Sequence, residues 1–343
     1  MPSILFWVGE PGGTGEYRCS TPGRALARAG WDVAFEEDGI DMTLDGRVRG
    51  DPDVVVFCRI MGDYIPDAVR RIRTRGRTTV VFDVDDWFAG IPGYNPASRL
   101  PDEMIVNMHQ AMREADLITC STPELAEGYS VLNRTVVLPN YLNPEIWQPW
   151  QDTPRVRGHI HLGWAGAFHW RGADLELLKP WIYDFLDQHR EVRFCAIGCR
   201  ELLEWLGIDG LTTPLLPPGP KTSVRNRDLH PYVHLPAMLA NLDIGLVPLV
   251  DNRFNRAKSH CKGLEYNAMG VPAVVSPSRE YRRFIRPGIN GLLVRRSNWA
   301  QQIETIIGDI DAYREGARKV ADEFWIDDHI HKWVDAYESV RRN

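Results

Sequence analysis

No lysine occurs in the first 150 residues, where 14 arginines stand against 22 carboxylates, a balance of −8; the remaining 26 basic and 24 acidic residues leave the second part at +2. So acidic a first part disfavours general polyanion binding there and makes the second part the better place for an anionic ligand. Long apolar runs are missing too, so no segment reads as a membrane span. The opening Met1-Pro2-Ser3, followed by the strand-like Ile4-Leu5-Phe6-Trp7-Val8, has neither the charged lead nor the cleavage site of a signal peptide. Cysteine is sparse: Cys19, Cys58, Cys120, Cys195, Cys199 and Cys261 lie scattered in apolar or helical contexts. They read as reduced structural thiols of a cytoplasmic protein, not as zinc ligands or disulfides. There is no GxGxxG, which argues against a dinucleotide enzyme, and no internal repeat or low-complexity tract. The paired carboxylates expected of glycoside hydrolases are not evident either.

At 343 residues, 44% hydrophobic and 25% charged, the chain can bury two cores of ordinary domain size. Apolar stretches of strand length alternate with amphipathic stretches of helix length. Strands are expected over 4–8, 54–58, 78–82, 117–120 and 135–138, with helices over 23–30, 65–75, 102–115 and 123–128. This is the alternation of a parallel sheet wrapped by helices. A second run starts at His159-Ile160-His161-Leu162-Gly163-Trp164, continues through a helix over 175–189 and a strand over 192–197, and reaches Val294. Between the two runs lies Asn140-Tyr141-Leu142-Asn143-Pro144-Glu145-Ile146-Trp147-Gln148-Pro149, a polar, proline-bearing linker. Two α/β domains in series make a cleft.

The most informative stretch is Lys258-Ser259-His260-Cys261-Lys262-Gly263-Leu264-Glu265. It sets two lysines four apart at the start of an expected helix and a carboxylate three residues after the second. Ser259 suits an N-cap, and the free N–H groups of the helix start, with the positive end of its dipole, favour an anion there. Lys258 and Lys262 add full positive charge. Glu265 lies one turn on, where a carboxylate can accept hydrogen bonds from a vicinal diol such as a ribose. The bland alternative is a surface helix in which Lys262 and Glu265 form a weak pair. The flanks change that balance. Upstream, a short helix at Leu235-Pro236-Ala237-Met238-Leu239 leads into the buried strand Ile244-Gly245-Leu246-Val247; downstream come Ala273-Val274-Val275 and Gly288-Ile289-Asn290-Gly291-Leu292-Leu293-Val294.

Taken together, the run "LANLDIGLVPLVDNRFNRAKSHCKGLEYNAMGVPAVVS" over 239–276 and "GINGLLV" over 288–294 closely resemble the nucleotide-sugar domain of GT-B glycosyltransferases, in particular the large retaining family four. The resemblance extends more loosely over nearly the whole chain, and the linker is similar to the hinge of that fold. It implies an α/β GT-B architecture, two Rossmann-like parallel-sheet domains facing across a cleft. The acceptor-side domain would span 1–145, the nucleotide-sugar-binding domain 146–323, and a C-terminal helix over 324–343 would cross back to the first. It further implies a hexosyltransferase with a nucleoside diphosphate sugar as co-substrate, a UDP-sugar foremost, and neither cofactor nor metal. Lys258, Ser259, Lys262, Gly263, Leu264 and Glu265 would then hold the donor, with His234 in the loop near the nucleobase. The family carries two glutamates separated by seven residues. Glu265 matches the second and Ala257 stands where the first belongs, so the sugar must be held by other means.

Three further segments carry candidate site residues. After the first strand, Gly12 and Gly13 make a turn whose backbone N–H groups can approach a phosphate, and the resemblance sets Tyr17 and Arg18 behind it on the acceptor side. Phe82-Asp83-Val84-Asp85-Asp86-Trp87 puts three carboxylates at a strand end. They could hold a metal, or form an acidic helix start, but the cations elsewhere make metal the minority reading. By resemblance this strand end is the cleft floor, where Asp85 or Asp86 would orient or deprotonate the acceptor hydroxyl and Trp87 would stack on it. In Gly163-Trp164-Ala165-Gly166-Ala167-Phe168-His169-Trp170-Arg171, Arg171 matches a family cation for the diphosphate, while Ala167 stands where a second is expected. His169 could touch phosphate or sugar, or simply face solvent.

Lys258, Lys262 and Arg171 are therefore the expected stabilisers of the departing diphosphate. The acceptor stays open among a small molecule, a lipid-linked sugar, a protein and a hydroxymethylated base in DNA. DNA would draw on the arginine run Arg70-Arg71-Ile72-Arg73-Thr74-Arg75-Gly76-Arg77. Ala257 also keeps open a nucleotide-sugar-binding protein without catalysis. A proline-rich insertion over 213–232 and an aromatic C-terminal helix with Trp333 and Tyr337 complete the features, the latter read as a packed brace.

Overall fold

The computed structural model describes residues 1–10, 12–37, 39–43, 47–155, 158–198, 200–212 and 232–342. Cys199 and most of the proline-rich insertion lie outside the described residues. Two six-stranded sheets form, each wholly parallel. The first runs β2-β1-β3-β4-β5-β6, with β1 Ser3–Val8, β2 Asp32–Glu36, β3 Val54–Cys58, β4 Thr79–Val84, β5 Leu117–Cys120 and β6 Thr135–Val137. The second runs β12-β11-β10-β7-β8-β9, with β7 Ile160–Ala165, β8 Val192–Ile197, β9 Leu211–Thr212, β10 Ile244–Val247, β11 Ala273–Val275 and β12 Gly291–Leu293. The apolar runs that marked these strands belong to sheets covered on both faces: Val54, Val55, Val56 and Phe57 of β3 are all fully buried.

The sequence reading places most elements to within a residue or two. It misses β2, an edge strand whose Asp-Val-Ala-Phe-Glu sequence is largely exposed and lacks a buried run. The helix expected over 175–189 is two pieces, Gly172–Leu175 and Lys179–Gln188, because Pro180 opens a new first turn. β4 extends to Val84, so Asp83 lies inside the strand and not beyond it.

Both chain crossings between the domains meet at one point. Leu142 pairs with Trp325 in an isolated parallel bridge, with Leu142 N–H donating to Phe324 O and Ile326 N–H to Leu142 O, each at 2.9 Å. Beyond this bridge the chain returns to the first domain, where Ile326, Trp333 and Tyr337 pack with Ile4, Phe6 and Trp31 in one buried cluster. This tail is not one helix but the pieces Ile326–His329 and His331–Glu338.

The helix Ile65–Arg75 leaves the C-terminal end of β3 and delivers the chain to the N-terminal end of β4. Its arginine-rich end therefore sits at the sheet edge opposite the strand ends that carry Asp85 and Asp86. There Arg70 pairs with Asp67 and Glu114, and Arg73 with Asp116. No helix among the described residues is long and apolar enough to cross a membrane.

Candidate active site

A cavity of about 260 Å³ lies between the domains, at the C-terminal ends of their strands. Open parallel sheets place their ligands there because the loops that leave the strands converge at that edge. The first domain contributes Gly13, Thr14, Tyr17, Asp85 and Asp86; the linker contributes Asn140; the second domain contributes Trp164, Arg171, Val247, Pro248, Leu249, Lys258, Ser259, Cys261, Lys262, Glu265 and Tyr281.

The expected helix begins later than its sequence suggests. It spans Cys261–Ala268, and its N-cap is His260, whose side chain makes no capping bond. Ser259 is thus not the cap. Its hydroxyl accepts from Asn140 Nδ2 at 3.1 Å and donates to Cys261 Sγ at 3.2 Å. Lys258 stands before the helix, in the loop after Arg253–Arg256.

Lys262 rises from the first turn toward the end of β7. Its Nζ donates to the Ala165 carbonyl and lies 5.2 Å from the centre of the Trp164 ring. Gly166, at φ 149°, leaves the room: a Cβ there would stand 3.2 Å from Lys262 Nζ and 3.0 Å from Trp164. Burial, with Arg171 nearby, lowers the Lys262 pKa to about 8 although Glu265 opposes the shift. A cation held in this way gains most when an anion arrives. Arg171 also lines the cavity, 3.6 Å from Asp174, which is itself buried and held by Asn255 Nδ2 at 2.7 Å and the Val250 N–H at 2.9 Å.

Lys258 is engaged elsewhere. Its Nζ donates to Asp86 Oδ1 at 2.6 Å, a contact between domains. Burial, with Arg171 nearby, lowers the Lys258 pKa although Asp86 opposes the shift. For Asp86, burial opposes ionisation, but Lys258 and Arg59 outweigh it and hold the carboxyl below its ordinary range. Asp85 goes the other way: burial raises it, Arg59 resists, and Asp86 adds to the rise. Asp85 Oδ2 accepts from Thr14 Oγ1 at 3.2 Å, while Oδ1 is buried and lies 3.3 Å from Arg59 Nη1. Two neighbouring carboxylates with pKa values pushed apart can serve different chemical ends.

Residues 160–309 match the family model described as glycosyl transferases group 1. The second domain is thus similar to group 1 glycosyl transferases. The whole chain has the GT-B fold. It superposes on sucrose-phosphate synthase from Thermosynechococcus elongatus with a TM-score of 0.64 at 13% identity, covering 99% of each chain. It is similar to Anabaena HepE in complex with UDP and glucose, at a TM-score of 0.61 and 14% identity, over 99% of this chain and 100% of that one. A glycosyltransferase from Rickettsia africae gives 0.64 at 13% identity, over 100% and 99%. No curated protein sequence matches the chain.

Within the second domain, Glu265 lines the cavity and its Oε1 accepts from Tyr17 of the first domain at 3.1 Å and from Tyr232 at 3.5 Å. Gly263 is required by contact: a Cβ would come within 2.8 Å of Tyr281, whose hydroxyl accepts the Gly263 N–H at 3.3 Å. Leu264 is a fully buried core residue. Ala257, where the family's first glutamate belongs, packs with Phe254 into the core of the first domain, and its carbonyl accepts from Thr122 Oγ1 at 2.8 Å.

Several expected residues lie away from the cavity lining. Arg18 and Asp83 are 2% exposed each and form a two-pronged pair at 2.8 and 2.6 Å. Arg18 also donates to the Leu138 carbonyl and Asn140 Oδ1, and Asp83 accepts from Thr119. This pair is inside the first domain, so Arg18 faces Asp83 and not an acceptor, and Asp83 is not turned out toward a metal. Trp87 is buried too, 5.0 Å from the Tyr129 ring and covered by Arg253 at 4.2 Å, which leaves no face for an acceptor to stack on in this arrangement. Gly12, at φ 109°, shapes the turn before Gly13. His169 is exposed beside Phe168, and His234 stands just before the helix Leu235–Leu239 without a side-chain capping bond.

The sequence reading overlooked Arg59. It follows β3 directly and adopts φ 54°. Its guanidinium reaches Glu10 at 3.0 Å, Thr14 at 2.9 Å, Asp85 at 3.3 Å and Asp86 at 3.8 Å, so it gathers the acidic floor of the cleft. Its position as the first residue past an apolar strand at the cleft edge was the available signal.

Proposed function

We propose that the chain transfers a hexose from a nucleoside diphosphate sugar, a UDP-sugar foremost, to an acceptor hydroxyl, with retention of configuration and without a metal. The observation that carries this reading is the placement of Lys262 and Arg171 on the cavity. Lys262 has no carboxylate ion-pair partner among the described residues, Arg171 is paired with Asp174 at 3.6 Å, and Glu265 stands one turn from Lys262. Positioned cations lower the barrier most where charge builds, and in this reaction it builds on the departing diphosphate. Glu265 supplies the acceptor that a ribose diol needs. The neighbour crystallised with UDP and glucose supports UDP.

The bond from the sugar's anomeric carbon to the phosphate oxygen breaks, and the acceptor oxygen bonds to that carbon from the same face. The acceptor's proton passes to the leaving phosphate. Retention rests on the family resemblance, and no enzyme nucleophile is needed. Asp85, paired with Arg59 at 3.3 Å, lines the cavity on the acceptor side, and Asp86 holds Lys258 at the cavity edge. With Ala257 packed into the first domain, sugar hydroxyls are met by other cavity groups. The five described cysteines are free, which supports a reducing, cytoplasmic setting.

The test is incubation with UDP-, GDP- and ADP-hexoses and a panel of carbohydrate and hydroxymethylated-DNA acceptors, followed by NMR of the product. Retaining transfer gives a product whose anomeric configuration matches the donor's. Binding without turnover across the panel would favour a sugar-nucleotide-binding protein instead.

A further inference from the structure

We propose that Tyr17 is a positioning residue for nucleotide recognition: reaching from the first domain, it fixes the carboxylate of Glu265 so that one oxygen is left free for the ribose diol. The proposal rests on the reading of Glu265 as the ribose-holding group.

Tyr17 sits on the π-helical turn Glu16–Ser20, after the glycine turn at the end of β1. Irregular turns of this kind aim a side chain where a regular helix would not. The ring is 6% exposed and packs edge-on to Tyr232 at 5.6 Å, which in turn packs against Trp147 at 6.0 Å. Both tyrosine hydroxyls point at one atom, Glu265 Oε1, at 3.1 and 3.5 Å. Oε2 carries no hydrogen bond among the described residues, and Glu265 lines the cavity. A carboxylate with one oxygen held by two phenols has its plane set, and second partners that orient a binding group strengthen it without touching the ligand. The shorter bond comes from the other domain. The orientation of Glu265 therefore depends on how the two domains meet, and ribose recognition belongs to both.

A competing reading gives the opposite sign. If the Tyr17 hydroxyl merely occupied the place of a ribose hydroxyl, its removal would help the nucleotide. Tyr17→Phe separates the two, since it keeps the buried ring and deletes one hydroxyl. The experiment is calorimetric titration of wild type, Tyr17→Phe and Tyr232→Phe with uridine, adenosine and guanosine 5′-diphosphates and their 2′,3′-dideoxy counterparts. Wild type should prefer the ribonucleotide it binds over the dideoxy form. In Tyr17→Phe the ribonucleotide should weaken about tenfold, at the lower end of the losses seen when an orienting partner is removed. The dideoxy affinity should stay unchanged, so the preference collapses. Tyr232→Phe, which loses the longer bond, should show a smaller effect in the same direction. The preference is read within one protein, so a change in folded fraction affects both ligands alike.

Tighter ribonucleotide binding in Tyr17→Phe, equal weakening of both ligands, or an unchanged preference would overturn the role of Tyr17 and leave Glu265 as the ribose group. No binding of any diphosphate to wild type, or equal binding of ribo and dideoxy forms, would instead defeat the reading of Glu265 and take this inference with it.

Discussion

Lys258 of the second domain and Asp86 of the first meet at 2.6 Å with both side chains mostly buried, one on each wall of the cleft. Removing one partner leaves the other charge uncompensated, so Lys258→Met and Asp86→Asn should each lower unfolding free energy by about 3 kcal/mol, and the double variant by less than their sum. Urea denaturation in a double-mutant cycle measures this. The pH dependence has a definite sign. Asp86 is held below the ordinary carboxylate range, so its contribution is complete above the unfolded carboxylate pKa and is lost as pH falls through the lowered value. Asp86→Asn should remove that part of the acid-side loss.

Lys262, with its pKa near 8 in the free protein, should couple nucleotide binding to proton uptake. A diphosphate beside it favours the charged form, so affinity should fall as pH rises through 8. Lys262→Arg, which stays charged, should flatten the profile over pH 7–9.5. Titration in buffers of different ionisation enthalpy gives the proton count.

The Arg18–Asp83 pair should act on stability. Arg18→Met leaves Asp83 buried without its partner, and a loss of about 3 to 5 kcal/mol is the scale for such a change. Denaturation of the variant should show it.

Chelation should leave turnover intact. Among the described residues no group of three or more His, Cys, Asp or Glu side chains is placed to hold a metal ion, and Lys262 and Arg171 supply the positive charge. Activity assayed with and without EDTA should be equal. Metal-dependent turnover would return Asp85 and Asp86 to a ligand role.

The parallel sheets were legible because each buried strand leaves a continuous apolar run, as Val54 to Cys58 does, followed by a helix period. The stretch from Lys258 to Glu265 was legible because its groups are local. What escaped was set by residues far apart in the chain. Tyr17 and Glu265 are 248 residues apart and Asp86 and Lys258 are 172 apart, so no spacing rule links them. Ser259 is not the cap because the helix starts only at Cys261, with His260 before it, and its hydroxyl bonds Asn140 from the linker. Arg18 reads as a ligand group beside a glycine turn, but its partner Asp83 is on β4, 65 residues away. Trp87 is hidden by Tyr129 and Arg253, neither of them its neighbour in sequence.

The most direct measurement is titration of nucleoside diphosphate sugars into wild type and Lys262→Ala, followed by calorimetry and thermal unfolding. A donor grip built on Lys262 predicts saturable binding of at least one UDP-, GDP- or ADP-sugar, with about 2.7 kcal/mol of added stability at a hundred times its Kd. Lys262→Ala should weaken that binding by about 1 to 3 kcal/mol, the scale of a hydrogen bond to a charged group. No binding of any nucleotide sugar, or binding of equal strength in Lys262→Ala, would contradict the assignment.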